Sequence, residues 1–248
     1  MLDIDEYPRI LLKISGEILS NSNDIHNIET INLISREVIG LARLGLKICI
    51  VVGGGNIYRG KNAAQKLNID SASSDYIGML ATVINALVLQ ESLSKGVECR
   101  VLSAIPMRSV CEPYVRKRAL RHIEKDRILI FAGGTGNPFF TTDTAAVLRA
   151  VEMNCSILFK GTMVDGVYDS DPNSNTDVKK YKNVSYDSVL SKHLKIMDSS
   201  AISLARDNNL PIIVFNIGKP NALLSFFDTE KKQNTSFTII NNKGDFNE

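Results

Sequence analysis

The chain has 248 residues, of which 44% are hydrophobic and 23% charged, and its formal net charge is +2. These values are ordinary for a globular protein with a substantial core, and the small net charge gives no reason to expect a nucleic-acid or membrane partner. The lack of an apolar run of about 20 residues predicts no transmembrane helix, and the acidic start of the chain lacks the pattern of a signal peptide.

Short apolar runs bounded by glycine, proline or polar residues predict buried strands. In chain order these strands are predicted at residues 9–14, 46–52, 98–102, 127–131, 156–159, 212–215 and, as an edge strand, 237–240. Helices are predicted between them, most clearly where apolar residues recur at helical spacing. The predicted helices cover residues 28–42, 74–95, 116–125, 145–151 and 199–206, and the polar residues 169–183 are predicted to form a surface excursion.

This alternation of strands and helices predicts a single α/β core domain, a three-layer αβα sandwich whose mostly parallel central sheet is covered on both faces. In such a sheet, ligands bind at the carboxyl ends of the strands. The glycine loops that follow the first, second and fourth strands should therefore converge on one edge.

The loop at residues 132–143 (AGGTGNPFFTTD) follows a predicted strand and precedes a predicted helix. Its three glycines allow the backbone to approach a ligand closely. Two threonines and Asp143 lie where the helix begins, with free N–H donors that favour an anion, and two phenylalanines offer flat apolar surface to a nucleobase. This order is typical of a nucleotide site. The alternative is a glycine-rich turn in which Asp143 only caps the helix.

Two further loops combine positive charge with small residues. Lys13 lies near the end of the first strand, ahead of Ser15 and Gly16, where its ammonium can neutralise a phosphate or, alternatively, snorkel to solvent. Residues 53–55 are three successive glycines, which are costly unless the backbone must approach a ligand. Arg59 follows them and can bind phosphate with two hydrogen bonds. The alternative is a permissive turn with a solvated arginine.

Acidic residues mark two more candidate contacts. Asp75, at the head of the long predicted helix, either caps it or accepts hydrogen bonds from ribose hydroxyls, and capping is the commoner role. Residues 165–168 (DGVY) and Asp171 combine a turn, an aromatic ring and carboxylates. They form either an adenosine site or a plain acidic loop.

Two patterns only imitate known motifs. Residues 55–62 nearly match the phosphate loop G-x-x-x-x-G-K-[ST], but Asn62 stands where the magnesium-binding hydroxyl belongs. Residues 169–180 begin like a calcium loop, but Ser174 and Lys180 replace its glycine and its glutamate. Neither segment is therefore predicted to bind a metal.

The remaining titratable residues indicate no second site. The four cysteines are widely spaced and the three histidines are far apart, which predicts no metal or histidine-based catalysis and indicates a reduced, cytosolic protein. The basic helix around Arg116, Lys117, Arg118 and Arg121 favours a solvated or interface surface over a nucleic-acid site.

Taken together and in order, these motifs resemble those of the bacterial uridylate (UMP) kinases, of the amino acid kinase superfamily. The resemblance covers nearly the whole chain, from residue 9 to residue 226. The matching segments are residues 13–16, 53–56 with Arg59, Asp75 with 78–82, 103–106, 132–143, 164–168 and Asn216. The string GTGNPFFTTD at residues 134–143 separates this branch from the acetylglutamate and aspartate kinases of the superfamily.

The resemblance implies transfer of the γ-phosphoryl group of ATP to UMP, giving UDP, with Mg²⁺ arriving on ATP. It implies that Lys13, Arg59 and Asp143 are catalytic. The implied ATP site consists of Lys13, Ile14, Ser15, Gly16, Gly55, Arg59, Thr162, Tyr168 and Asp171. The implied UMP site consists of Gly54, Asp75, Thr135, Gly136, Asn137, Pro138, Phe139, Phe140, Thr141 and Thr142. The phosphate-acceptor half would span about residues 1–150 and the ATP-binding half about residues 151–248.

The implied reaction agrees with the absence of a recognisable general base in the sequence. The acceptor is a phosphate oxygen that is already anionic, so no general base is required, and catalysis depends on positioning and positive charge. The resemblance also implies a cytoplasmic homohexamer inhibited by UTP. One segment departs from the family: GTP-regulated members carry a loop with glycine and an aromatic residue after the first motif, where this chain has the polar residues 20–24 (SNSND).

Two alternatives remain open from the sequence. One is a kinase of the same superfamily that acts on a carboxylate or carbamate. The other is a sensor that binds uridine nucleotides without turnover, which the presence of both Lys13 and Arg59 disfavours, because a pure sensor does not need the charges used in transfer.

Overall fold

The computed structural model describes residues 2–170, 178–227 and 236–247. The strands are β1 (Arg9–Ile14), β2 (Lys47–Val52), β3 (Cys99–Ser103), β4 (Glu112–Pro113), β5 (Ile128–Ala132), β6 (Ile157–Thr162), β7 (Val167–Tyr168), β8 (Lys180–Ser185), β9 (Ile212–Asn216), β10 (Phe237–Asn241) and β11 (Phe246–Asn247). The helices are α1 (Ile28–Arg43), α2 (Gly60–Leu67), α3 (Ser71–Leu93), α4 (Arg116–Glu124), α5 (Thr142–Glu152), α6 (Tyr186–Ser191) and α7 (Ser199–Asp207), with 3₁₀ turns at Gly16–Leu19 and Leu224–Phe226.

The strands form one sheet in the order β11-β8-β10-β9-β6-β1-β2-β5-β3-β4, with β7 beside β8. Every pair from β9 to β4 is parallel. Antiparallel pairing is found where β10 meets β9 and where β7 and β11 meet β8. The prediction of a mostly parallel sheet is therefore confirmed.

Strand β10 is not the edge strand that the sequence predicted. It lies between β9 and β8, because residues 180–183, at the end of the predicted surface excursion 169–183, belong to strand β8. The alternating apolar residues of β10 fit this internal position, since Ile240 is fully buried.

Helices cover both faces of the sheet and complete the three-layer αβα sandwich. The pleat alternates side chains between the two faces, so Leu12 of β1 belongs to the core cluster on the face covered by α1 and α3. Its neighbour Leu11 belongs to the cluster on the face covered by α4, α5 and α7. Both are fully buried. The predicted fold class is confirmed.

Two helix starts differ from the prediction because a different residue caps each helix. Helix α3 begins at Ser71 rather than Ser74, since the Asp70 carboxylate accepts a hydrogen bond from Ser73 N at 3.0 Å. Asp75 is therefore inside the helix, and the interpretation of Asp75 as its cap is wrong. Helix α5 is capped by Thr141, whose hydroxyl accepts from Asp143 N at 3.1 Å. Asp143 is accordingly not a cap.

Helix α3 has the length and the mean hydropathy, 1.4, that a membrane span would have, and 44% of that apolar window is buried. The face toward the sheet contains Val83, Ala86 and Leu89, each at most 3% exposed. By length and composition alone, a core helix of this kind and a membrane span are alike.

Candidate active site

The loops after β1, β2 and β5 meet at one edge of the sheet, as the strand order requires. Gly53 N donates a hydrogen bond to Ile14 O at 2.8 Å, which joins the ends of β1 and β2. A Cβ on Gly16 would lie 2.6 Å from Asn56 Oδ1 and 2.7 Å from Gly55 N. Only glycine allows the two turns to approach this closely, and the predicted convergence of the glycine loops is confirmed.

Two lysines and one aspartate form the centre of this edge. Lys13 of β1 and Lys160 of β6 are paired in register and point to the same face of the sheet, where α5 supplies Asp143. Lys13 Nζ lies 2.7 Å from Asp143 Oδ1, and Lys160 Nζ lies 2.6 Å from Asp143 Oδ2. The side chains of both lysines are only 8% exposed, so the interpretation of Lys13 as a snorkelling side chain is wrong.

Burial and mutual repulsion shape the charges of this cluster. Burial disfavours the charged form of Lys160, and the neighbouring Lys13 adds to that effect, so the pKa of Lys160 is lowered to about 8 despite its contact with Asp143. Burial also opposes ionisation of Asp143, but the charges of Lys13 and Lys160 outweigh it and hold the pKa of that carboxyl below its ordinary value. The cluster thus holds more positive than negative charge at neutral pH.

The lowered pKa of Lys160 predicts a pH dependence. Because kcat/KM reports ionisations of the free enzyme, the activity that the sequence resemblance implies should show a kcat/KM for ATP that falls as the pH rises through about 8 and Lys160 loses its proton. Lys160→Arg keeps its charge over this range and should move the decline to higher pH. A wild-type profile that stays flat to about pH 10, near the ordinary lysine pKa, would contradict the prediction.

Deprotonation of Lys160 does not by itself destabilise the folded protein, so it cannot cause a loss of activity through unfolding. With a folded-state pKa near 8 against an ordinary 10.5, the unfolded chain binds more protons at this group between those values. Stability therefore rises with pH through this group. Melting temperatures measured across the same range provide the control.

Lys160 and Asp198 are functional candidates that the sequence interpretation missed. Asp198, at the start of α7, accepts hydrogen bonds from the hydroxyls of Thr141, at 2.5 Å, and Thr144, and so fixes the start of α5. A signal for Lys160 was present, because the segment ILFKGT of β6 matches ILLKIS of β1 in placing a lysine after three apolar residues. Asp198 has no comparable local signal, since its partners are more than 50 residues away in the chain.

The loop between β5 and α5 contains four residues in left-handed backbone conformations. Gly133, Gly134 and Gly136 have φ values of 73°, 57° and 84°, and Phe139 has 69°. Phe139 N donates to Asp75 Oδ2 at 2.7 Å, which ties the tip of the loop to α3. Phe139 and Phe140 are 74% and 51% exposed. Asp75 therefore contacts the predicted UMP loop directly.

The rest of the predicted UMP site is distributed along the same loop. Thr135 Oγ1 donates to Asn137 O and accepts from Asn137 N, which closes a turn ahead of Pro138. Thr141 and Thr142 lie at the start of α5. Gly54, in the neighbouring loop, would place a Cβ 2.9 Å from Ala81 Cβ, so only glycine fits against α3 at that position.

Arg59 lies at the outer rim of the edge. Its Nη2 is 2.8 Å from Glu17 Oε1, and the two side chains are 60% and 56% exposed. An ion pair this exposed contributes little to stability, so the guanidinium can exchange Glu17 for another anion at little cost.

A cavity of about 550 Å³ opens beside Lys160 on the other side of the edge. This is within the usual range for small-molecule sites. Its walls include Ser15, Thr162 and Tyr168 of the predicted ATP site. The Tyr168 hydroxyl donates to Asp165 Oδ1 at 2.6 Å. Asp171, the remaining predicted ATP contact, lies outside the described residues.

The sheet is mostly parallel, and its carboxyl edge combines glycine loops with a buried lysine–aspartate–lysine cluster. This is the architecture of an α/β protein whose site suits phosphate groups. A model of the amino acid kinase family matches residues 8–216. The uridylate kinase of Wolbachia pipientis wMel is 58% identical over 214 residues, 86% of this chain and 86% of that protein. The uridylate kinase of Rickettsia typhi (strain ATCC VR-144 / Wilmington) is 55% identical over 243 residues, 97% of this chain and 94% of that protein.

A solved structure supports the same family. The crystal structure of UMP kinase from Bacillus anthracis superposes with a TM-score of 0.91 at 38% identity, covering 98% of this chain and 99% of that one. The chain belongs to the amino acid kinase family and, within it, to the uridylate kinases.

Proposed function

We propose that Lys13, Lys160 and Asp143 form the transfer site of a kinase that moves the γ-phosphoryl group of ATP to UMP, giving UDP and ADP in pyrimidine nucleotide metabolism. Similarity to uridylate kinases over most of both chains supports UMP and ATP as the substrates. The observation that carries the assignment of the site is the buried cluster itself, in which one aspartate holds two ammonium groups toward the edge where the glycine loops converge.

The arrangement suits transfer between two polyanions. The acceptor oxygen of UMP is already anionic, so no base has to remove a proton, and the barrier lies in bringing negative charges together in line. Lys13 and Lys160 supply fixed positive charge in a dry environment, where it is worth most. Asp143 contributes by holding both ammonium groups in place.

We assign the two substrates to the two sides of this cluster. ATP would extend from the turn of Ile14, Ser15 and Gly16, past Gly55 and Arg59, into the cavity by Thr162 and Tyr168, and Asp171 remains part of this assignment. UMP would lie under the loop of residues 135–142, against Gly54 and Asp75. A carboxylate has about four acceptor positions, so Asp75 can bind ribose hydroxyls while it holds Phe139 N.

The same division extends to the two halves of the chain. We infer that residues up to about 150 bind mainly the acceptor and that residues 151–248 bind mainly ATP, within a single domain. This assignment rests on the position of the cavity, most of whose walls come from residues 160–196.

Magnesium is expected to enter with ATP. Among the residues that the structure describes, no group of three or more His, Cys, Asp or Glu side chains could hold a metal ion, and Asp143 is engaged by two lysines. Mg²⁺ bound to phosphate oxygens would neutralise part of their charge, and magnesium commonly keeps few protein ligands.

An assay of UDP formation tests the proposed function. The purified protein is supplied with ATP, Mg²⁺ and UMP, and in parallel with acetylglutamate, aspartate or carbamate in place of UMP. We expect rapid turnover with UMP alone. Turnover only with a carboxylate or carbamate acceptor would overturn the proposal, and binding of UMP without UDP formation would identify a sensor.

We further propose a cytoplasmic homohexamer that UTP inhibits by occupying the acceptor site. Helix α3 supports self-association, because Ile77, Leu80 and Ile84 form an apolar stripe that is 40%, 43% and 48% exposed. UTP inhibition should be competitive with UMP, and adding GTP to the same assay determines whether the chain responds to GTP without the usual loop.

The apolar stripe gives a specific prediction about assembly. Replacing Leu80 and Ile84 together by glutamate places buried charge in a contact between copies, which is strongly unfavourable, and should reduce the molar mass measured by light scattering to that of a smaller species. Leu44→Glu, at an apolar residue with the same 43% exposure as Leu80 but outside the stripe, is the matched control. An unchanged mass in the double variant would place the interface elsewhere.

A further inference from the structure

A buried amide on α3 connects three segments around the transfer site. Asn85 is fully buried and is not among the residues assigned to ATP or UMP. Its Nδ2 donates to Gly53 O at 2.7 Å and to Asn56 Oδ1 at 2.7 Å. Its Oδ1 accepts from Asn56 Nδ2 at 3.2 Å and lies 2.7 Å from His26 Nε2. With the Nε2-protonated tautomer of His26, both donors and both acceptor positions of the amide are used.

These contacts add side-chain anchors to a loop whose backbone hydrogen bonds run from Gly53 N to Ile14 O and from Ile57 N and Tyr58 N to Gly54 O. Residues 53–55 are glycines, which lose more conformational freedom on folding than any other residue and therefore need specific anchoring. Asn85 binds the first residue of the loop through Gly53 O and the last through Asn56. Asn56 in turn donates to Ile25 O at 2.9 Å and lies where any side chain on Gly16 would clash. By holding Asn56, which lies against Gly16, the Asn85 amide helps to set the spacing between the turn after Lys13 and the glycine loop.

We propose that Asn85 is a positioning residue for phosphoryl transfer, which keeps the Gly53–Asn56 loop in register with the turn of Ser15 and Gly16 that follows Lys13. In-line transfer depends on placing the reacting groups accurately, and a displacement of about 1 Å can lower the rate about 100-fold. Loss of the amide leaves Gly53 O and the Asn56 side chain without this partner and loosens both ends of the loop. The proposal rests on the proposed function, because it concerns the alignment of ATP with UMP.

The test separates alignment from binding and from stability. Asn85→Ala is expected to lower kcat about 10- to 100-fold. The KM for UMP should change less than about threefold, because residues 135–142 and Asp75, assigned to UMP, lie outside the Gly53–Asn56 loop and only Gly54 lies within it. Asn85→Ser, which keeps one hydroxyl and disturbs the core less, should lose less activity and serves if the alanine variant does not fold. Asn56→Ala should mimic Asn85→Ala, and the double variant should be no worse than either, since both remove the same anchor.

Leu89→Ala is the matched control. Leu89 is on the same helix, is 1% exposed and has an apolar side chain that makes no hydrogen bond to the loop. It should lower the melting temperature by at least as much as Asn85→Ala and leave kcat of the folded protein unchanged. An equal loss of kcat in Leu89→Ala, an unchanged kcat in folded Asn85→Ala or Asn85→Ser, or additive effects of Asn56 and Asn85 would each overturn the inference. A wild-type protein that forms no UDP would instead overturn the proposed function.

Discussion

Replacing Lys13 by methionine is expected to lower kcat about 1,000-fold. This is the effect of removing one preorganised hydrogen-bond donor that stabilises negative charge in a transition state. Methionine keeps the length and apolar stem of the side chain but removes the ammonium, which lies 2.7 Å from Asp143 and 3.0 Å from Ser15 Oγ. Because the side-chain partners of Lys13 are Asp143 and Ser15, which are not among the residues assigned to UMP, the affinity for UMP measured by calorimetry should change less than about threefold.

Two comparisons make this result specific. Lys47→Met, in the neighbouring strand, removes a lysine whose contact with Asp126 is long, 3.8 Å, and exposed, and should leave kcat unchanged. Arg59→Ala should lower turnover by orders of magnitude without an equal loss of UMP binding, because its guanidinium is positioned at the rim for phosphate. If binding of UMP and kcat fell by the same factor in Lys13→Met, the lysine would belong to a binding site and not to the transfer machinery.

Replacing Asp143 by asparagine is expected to have the largest combined effect on activity and stability. The substitution keeps the shape of the side chain but leaves two buried ammonium groups without their counter-ion, which typically costs about 3–5 kcal/mol of folding free energy. The lysines also lose their common anchor, so kcat should fall about 1,000-fold. Urea unfolding and a UDP assay on the folded protein measure the two effects separately.

The loss of stability in Asp143→Asn should depend on pH in a definite direction. Without Asp143, the charge that favours the protonated form of Lys160 is gone, so the pKa of Lys160 should fall below its wild-type value. The instability of Asp143→Asn should therefore shrink as the pH rises and Lys160 releases its proton. Asp126→Asn, whose carboxylate is 85% exposed, is the control and should be close to neutral in both assays. A stable Asp143→Asn with normal kcat would rule out the cluster as the transfer site.

Local patterns predicted most of the sheet. The apolar runs that became β1, β2, β5, β6 and β9 are short, bounded by turn residues and buried on both faces, and this is the pattern that a parallel strand must have. Polar or very short strands were missed, as in β8, whose sequence KYKNVS has only two buried side chains. Such a strand forms because β10 offers it backbone partners, which a local pattern does not contain.

Helix N-caps were likewise not predictable from local sequence. Asp70, Asp75, Thr141 and Asp143 are all good candidates for an N-cap by residue type. In the structure, Asp70 caps α3 and Thr141 caps α5. The carboxylate of Asp75 is therefore available to accept from Phe139 N, and that of Asp143 to bind two lysines. The competing interpretations of these residues could be resolved only when the helix starts were known.

The sequence by itself determined the fold class, the positions of the glycine loops and the convergence of those loops on one edge, because these follow from hydrophobic periodicity, from glycine's backbone freedom and from the parallel order of strands. Tertiary structure alone decided the chemistry of that edge. Lys13 and Lys160 become neighbours through the pairing of β1 with β6, and Asp143 reaches both through the packing of α5 on that face. Such contacts depend on register between distant segments, and so do the lowered pKa of Lys160 and the buried amide of Asn85 that holds the glycine loop.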